Sequence, residues 1–340
     1  GTQDSIKCSL ILTEGDSAKS MAVAGLSEVG RDLYGVYPLR GKVQNIRGID
    51  SKRILNCDII NTIKTILGLQ AGINYQKKYE SSKVWPLRYG KIILMTDQDH
   101  DGSHIKGLIM NIFDVLWPEL LHMEFLTCLI TPIVKAFKGK QEKIFYTLQD
   151  YDKWKNVNNK GWVIKYYKGL GTSSSKEAKE YFKQLNIINY YFGDNQTSDN
   201  IPNIQEENDK DSLDNDLKLK TNKLDLAFNS DRANDRKKWL SEYNRGQIPD
   251  YNSNKIRFDD FVDDELKHFS NADNHRSIPS FMDGLKPATR KVLFCAFKRN
   301  LKNEVKVAQM SGYTSEHSCY HHGEVSLEAT IKGMAQDFVG

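Results

Sequence analysis

No apolar run in this sequence is long enough to cross a membrane as a helix. The longest, such as Leu108 to Phe113 and Cys128 to Val134, fall far short of the roughly 20 residues that a span requires. Cysteine is scarce. Cys8, Cys57, Cys128, Cys295 and Cys319 are odd in number and far apart, with no CxxC pair, which argues against a disulfide framework or a zinc ribbon and fits a reducing compartment. A large excess of either charge is missing too. A formal net of +4 over 340 residues does not identify a nucleic-acid binder by itself, because whole-chain charge hides local fields. The polar start at Gly1 carries neither a signal-peptide nor a transit-peptide pattern, so no targeting address is legible there.

What is present is enough apolar material, 39% of residues with 10% aromatics, to build the cores of two ordinary domains. Up to about residue 173, short apolar runs alternate with amphipathic stretches. Cys8 to Thr13, Lys91 to Thr96, Cys128 to Phe137, Lys143 to Leu148 and Trp162 to Tyr167 read as strands. Alternation of this kind predicts an α/β domain, a mainly parallel sheet with flanking helices, over 1–173. Ser174 and Glu177 have the spacing of a capping box and open a helix. A helical connector is expected over 174–255. Within it, 194–225 holds 13 Asn and Asp among 32 residues, no aromatic, and nine acids against four bases. That composition favours a solvated, disordered insertion over any packed structure. From 256 to 340 the pattern is mostly helical: a helix near Phe258 to Phe269, one opening at Pro287, and a last with Leu327, Ile331, Met334, Ala335 and Phe338 on one stripe.

Acidic residues mark one candidate site. The strand ending at Thr13 runs into Glu14-Gly15-Asp16-Ser17, and the strand ending at Thr96 into Asp97-Gln98-Asp99-His100-Asp101-Gly102. In a parallel sheet both tips open on the edge that forms the usual ligand crevice, and Asp97 and Asp99 point the same way in extended backbone. Carboxylates so gathered repel unless a cation neutralises them. Hard oxygen donors favour Mg2+, with Mn2+ as a substitute. Asp16 and Ser17 are better read as helix-start residues. An EF-hand is excluded, since no bidentate Glu closes a twelve-residue loop after Asp97. His100 and His104, four apart, raise zinc, which the carboxylate-rich setting disfavours.

Basic residues mark another. Arg40, Lys42 and Arg47 lie in a Gly-punctuated stretch where backbone can approach a phosphodiester. Lys168, in the turn Tyr167-Lys168-Gly169-Leu170-Gly171, is a lesser candidate. From Arg276 to Lys306 there are eight Lys and Arg against two acids, a footprint for phosphates. Arg276, Lys286 and Arg290 bracket the helix start at Pro287, where free N–H groups also favour an anion. Val305 to Tyr313, the turn at Tyr320-His321-His322-Gly323 and the helix from Glu324 suggest a helix-turn-helix unit. His321 and His322 stand at the second helix's start, able to hold a phosphate or to form a hydrogen-bonded pair.

The residues Glu14-Gly15-Asp16-Ser17-Ala18 and Asp97 to His104 closely resemble the TOPRIM signature of type II DNA topoisomerases. Pro38-Leu39-Arg40-Gly41-Lys42, Ile130-Thr131-Pro132 and Tyr166 to Thr172 resemble motifs particular to those enzymes. Ser277 to Ser280, Asp283 to Pro287, Lys306 to Gln309 and Tyr320 to Glu324 resemble their winged-helix domain. The resemblance covers all but the 194–225 insertion and points to the eukaryotic form, with both domains on one chain. It implies Mg2+ at Glu14, Asp97 and Asp99, with Asp101 a more distant or second-metal ligand. Glu14 is then a general acid and base at the 3′ oxygen, and His322 a phosphate-stabilising active-site histidine. Arg40, Lys42, Arg47, Lys168, Arg276, Lys286, Arg290, His321 and His322 are the implied DNA contacts. The implied parent is a nuclear homodimer, using ATP through a domain outside this chain to pass one duplex through another. The nucleophilic tyrosine is expected a few tens of residues beyond Ala335 to Gly340, so this segment alone should bind double-stranded DNA without cutting it. Tyr320 belongs to another motif and is not a substitute. The alternatives are a TOPRIM-type nuclease or primase and a non-catalytic DNA-binding scaffold.

Overall fold

The computed structural model describes residues 3–157, 160–167, 169–193, 223–251, 253–320 and 322–337. The chain divides into two compact units, Gly1–Phe269 and Ser270–Gly340. The expected boundary near 256 therefore falls later, because the segment from Phe258 to Phe269 buries Phe258, Phe261, Val262, Leu266 and Phe269 in the first unit's core. Among the described residues no helix is long and apolar enough to cross a membrane.

In chain order the strands are β1 (Ser9–Thr13), β2 (Tyr34–Pro38), β3 (Lys91–Met95), β4 (Leu126–Leu129), β5 (Val134–Lys138), β6 (Gln141–Phe145), β7 (Val163–Tyr166), β8 (Ile187–Tyr191) and β9 (Lys255–Arg257). The main sheet has the order β2-β1-β3-β4-β8-β9, and a smaller one β6-β5-β7. β1 pairs in parallel with β2 and β3, and β3 with β4; β8 runs antiparallel to β4. The small sheet is antiparallel throughout. The apolar run from Cys128 to Phe137, expected as one strand, is thus two strands in different sheets. Pro132 sits in the break, where its missing N–H costs no ladder bond.

The first unit's helices are α1 (Asp16–Val29), α2 (Ser51–Leu55), α3 (Asp58–Leu67), α4 (Tyr75–Ser82), α5 (His100–Leu116), α6 (Pro118–His122), α7 (Leu148–Val157) and α8 (Ser175–Gln184). After the insertion come α9 (Lys223–Phe228), α10 (Ala233–Ser241) and α11 (Phe258–Phe261), the last continued by a π-turn at Val262–Leu266 into α12 (Lys267–Ser277). The insertion expected over 194–225 lies outside the described residues up to 222. Its last three residues are ordered in α9, with Leu224 and Asp225 buried.

Alternation along the strands places helices on both faces. Leu10, Leu12, Ile92 and Leu94 pack with Ile105, Ile109 and Phe113 of α5, while Ile11, Ile93 and Met95 pack with Met21, Ala22 and Leu26 of α1 and Tyr181 and Phe182 of α8. α5 is buried nearly all round from Gly102 to Phe113, as expected of a helix at the centre of a unit. α1 and α8 meet at Gly25, where a Cβ would stand 2.1 Å from the Phe182 ring. The expected capping box at Ser174 and Glu177 is present and starts α8.

The second unit packs α13 (Pro287–Lys298), α14 (Val307–His317) and α15 (Glu324–Met334) around Val292, Cys295, Met310, Tyr320, Leu327 and Ile331. Pro287 is at the first position of α13, as its fixed φ favours. Met334 is 39% exposed, so only the Leu327–Ile331 part of the expected stripe is buried in this core; Phe338 lies outside the described residues.

Candidate metal centre and nucleic-acid interface

Parallel pairing sets the site. Thr13 is opposite Met95, and the Glu14 N–H extends the ladder by donating to the Met95 carbonyl at 3.2 Å. Both strand tips therefore leave the sheet side by side. Oε2 of Glu14 accepts the Asp97 N–H at 2.9 Å. Oδ1 of Asp97 accepts the Leu170 N–H at 2.7 Å, so the glycine-rich turn, far along the chain, closes over the same edge. Asp99 caps α5, its Oδ1 accepting the Gly102 N–H at 2.7 Å, and Asp101 lies in the first turn, where the helix dipole favours a negative charge.

The acids share one electrostatic field. Burial pushes the Glu14 carboxyl up to about 7; the Asp97 N–H opposes this, and the charges of Asp97, Asp99 and Asp101 add to the rise. Asp97 is also raised, first by burial and then by Asp99, against the pull of the Leu170 N–H. The donors are all hard oxygens, which suits Mg2+. Thr96 Oγ1, buried beside them, finds no protein partner. The set is open rather than a closed cage. Among the described residues no three His, Cys, Asp or Glu side chains are grouped closely enough to hold an ion, because Asp97 and Asp99 are turned onto backbone N–H groups. An ion that keeps several waters and needs only one or two carboxylates fits such a set. The histidines do not join it: His100 stacks on His268 at 6.3 Å and His104 on Phe269 at 3.8 Å.

The basic stretch reaches this edge. Lys42 Nζ lies 2.6 Å from Oδ1 of Asp101 and 4.7 Å from the centre of the Phe269 ring, and Arg40 is exposed. Arg47 departs from the expectation of a DNA contact. Its side chain is only 15% exposed and is committed inward: it pairs with Asp114, with Asp225 at 3.1 Å and with Asn111 at 2.8 Å. Asn45 donates to the Phe228 carbonyl at 2.8 Å. This cluster fixes the basic stretch to α5 and α9. Lys168 lies outside the described residues.

In the second unit, Lys286 is the N-cap residue of α13 and is exposed. Arg290 holds both oxygens of Asp283 at 2.7 Å, and Arg276 lies 3.0 Å from Asp273. Both pairs are solvent-exposed, and such pairs are weak enough for phosphate to displace them. His322 is exposed just before α15, its ring edge-on to Tyr320 at 5.5 Å. His321 lies outside the described residues. The acids thus belong to one unit and the expected histidine to the other.

Among the buried charges that escaped the sequence reading are Lys106 and Glu265. Lys106, in the apolar body of α5, is 1% exposed and pairs with Glu265 of the π-turn. Glu265 also accepts from Ser103 at 2.7 Å and from Tyr251 at 2.8 Å. A lysine within an otherwise apolar helical stretch was the available signal; its partner carries none.

Family models match in three successive blocks. They are the Toprim domain over residues 9–131, the C-terminal associated domain of TOPRIM over 129–274, and the DNA gyrase/topoisomerase IV A-subunit over 276–340. Among similar proteins, a probable DNA topoisomerase 2 of Dictyostelium discoideum is 51% identical over all of this chain and 21% of its own length. The mitochondrial DNA topoisomerase 2 of the same organism is 47% identical, over 25% of its length, and DNA topoisomerase 2-alpha of Homo sapiens 48%, over 22%. The chain spans about a fifth to a quarter of these curated relatives. A crystal structure of the Plasmodium falciparum topoisomerase II DNA-binding, cleavage and re-ligation domain superposes with a TM-score of 0.80 at 45% identity. It covers all of this chain and 43% of that one.

Proposed function

The chain belongs to the type II DNA topoisomerase family, and from that membership we propose that it is the metal-binding and DNA-bending part of an enzyme that cuts both strands of a duplex, passes another through, and reseals. The observation that supports the proposal is that Glu14 and the run Asp97, Asp99 and Asp101 leave two neighbouring parallel strand tips, with Oε2 of Glu14 accepting the Asp97 N–H at 2.9 Å. Glu14, Asp97 and Asp99 would hold Mg2+ or Mn2+, with Asp101 an outer ligand. When bound, the ion would offset the negative charge on the phosphodiester oxygens. Glu14 would give and take the proton at the 3′ oxygen on resealing, and Arg40, Lys42 and Lys168 would hold the backbone near it. Arg276, Lys286 and Arg290 would bind the flanking duplex, with His321 and His322 on a phosphate. Arg47 supports the basic stretch from within.

ATP use through a domain outside this chain, a homodimeric parent protein and a nuclear location are parts of the same proposal. The test is covalent capture of 5′ DNA ends by the full-length protein in Mg2+. Capture by Asp99→Ala at undiminished yield overturns the assignment, and free ends without covalent attachment would turn it to a TOPRIM nuclease. The location is tested by imaging the tagged protein, since one similar relative is described as mitochondrial.

A further inference from the structure

We propose that Lys106 and Glu265 are positioning residues for the carboxylate centre, holding the first turn of α5 at a fixed height against the π-turn at Val262–Leu266. The inference rests on the metal-binding reading of Asp99 and Asp101. A cavity of about 260 Å³ is lined by Asp99, His100 and Ser103 of the α5 end together with Tyr251, Glu265 and His268. Its walls are tied together where Ser103 donates to Oε1 of Glu265 at 2.7 Å. The Ser103 N–H donates to the Asp99 carbonyl at 3.0 Å, and its hydroxyl stands at the same distance from that carbonyl. One turn further on, Lys106 meets the same carboxylate, and Tyr251 holds its other oxygen at 2.8 Å. Glu265 therefore grips α5 at two successive levels, directly behind the Asp99 cap.

Stability does not account for this pair. Lys106 is 1% and Glu265 8% exposed in their side chains, and stripping water from two charges costs about as much as their attraction returns; apolar residues of similar size serve a core equally well. What an apolar pair lacks is direction. Leucine and methionine tolerate sliding of a helix, whereas a carboxylate bonded to a serine, a lysine and a tyrosine admits one register. The π-turn serves the same end, since the widened turn lies where Glu265 is presented to α5.

The test uses the full chain with Lys106→Met and Glu265→Leu together, so that no lone charge is left buried, and reads three quantities. The expected result is a melting temperature equal to or above that of the parent, Mg2+ affinity lower by about 10- to 100-fold, and faster amide exchange at Gly102 and Ser103. Lys106→Arg, which keeps the charge, should retain most of the affinity. Unchanged exchange at Gly102 and Ser103 in the double variant overturns the proposal, as does unchanged Mg2+ affinity. A parent chain that binds no Mg2+ would instead defeat the metal reading, while the exchange measurement still decides whether the pair fixes the turn.

Discussion

A Cβ on Gly169 would stand 2.2 Å from Oδ2 of Asp97. The turn and the carboxylate fill adjoining space, and the Leu170 N–H that follows holds Oδ1 of the same group. Gly169 has φ −178°, which any residue adopts, so the requirement is for room alone. Gly169→Ala should therefore push Asp97 off its N–H partner. Mg2+ affinity is expected to fall about 10- to 100-fold, with a stability loss of about 1–3 kcal/mol from overpacking. Metal titration and a denaturant melt check the two; full affinity would show that the turn yields and the acid stays.

Arg40 and Arg47, seven positions apart, should behave oppositely. Arg47→Ala removes the cation that Asp114 and Asp225 share, although Asp225 keeps Arg232 at 3.1 Å. Breaking such a buried cluster costs about 3–5 kcal/mol, so the melt should shift strongly. Arg40→Ala should leave the melt in place, weaken binding to duplex DNA of any sequence, and reduce the slope of log affinity against log salt by about one. A variant of Arg47 with a parental melt and lost DNA binding would restore that residue as a direct contact.

This contrast marks where the sequence was legible. β1 and β3 could be read because each is a short apolar run with a clear end, and the acids follow at those ends. The break between β4 and β5 was hidden inside one apolar run, whose length says nothing of which sheet each half joins; Pro132 was the clue. β2 is half-buried throughout and so shows no alternation, while β9 alternates over only three residues, too few to read as a strand. Glycine punctuation and positive charge made Arg47 look like its exposed neighbours. Its partner Asp225 is the last residue of the stretch read as an insertion, whose composition masked the start of α9. Glu265 was invisible for the same reason, since a pair between distant residues leaves no local pattern, and Lys106 showed only as a lysine in an apolar helical stretch.

On the proposed reading, Asp283 would compete with a DNA phosphate for Arg290, whose guanidinium it holds at 2.7 Å. Its carboxyl is held below the usual range by the Arg290 guanidinium and then by the Leu285 N–H. Asp283→Asn keeps an acceptor for that N–H while releasing the arginine. Duplex affinity at low salt should rise about 2- to 10-fold, the small gain expected from releasing an exposed ion pair, with the melt unchanged. The gain should vanish in Arg290→Ala, and a gain that persists there would point to net charge instead.

Glu177 provides the pH prediction. Burial disfavours its charge, but hydrogen bonds from Lys165, Tyr167 and Ser174 outweigh it and pull the carboxyl down to about 2. Lys165 Nζ lies 2.6 Å away, and the same carboxyl completes the capping box of α8 through the Ser174 N–H at 2.8 Å. With the folded value below the unfolded one near 4.5, the contribution is complete above 4.5 and is lost as pH falls from there through about 2. Glu177→Gln keeps an N3 side chain able to close the capping box and removes only the charge. The variant should be less stable than the parent at pH 7 by on the order of 1 kcal/mol, and the gap should close as the pH approaches 2. A gap that stays constant between pH 6 and 2.5 would mean that the carboxyl serves α8 by shape rather than by charge.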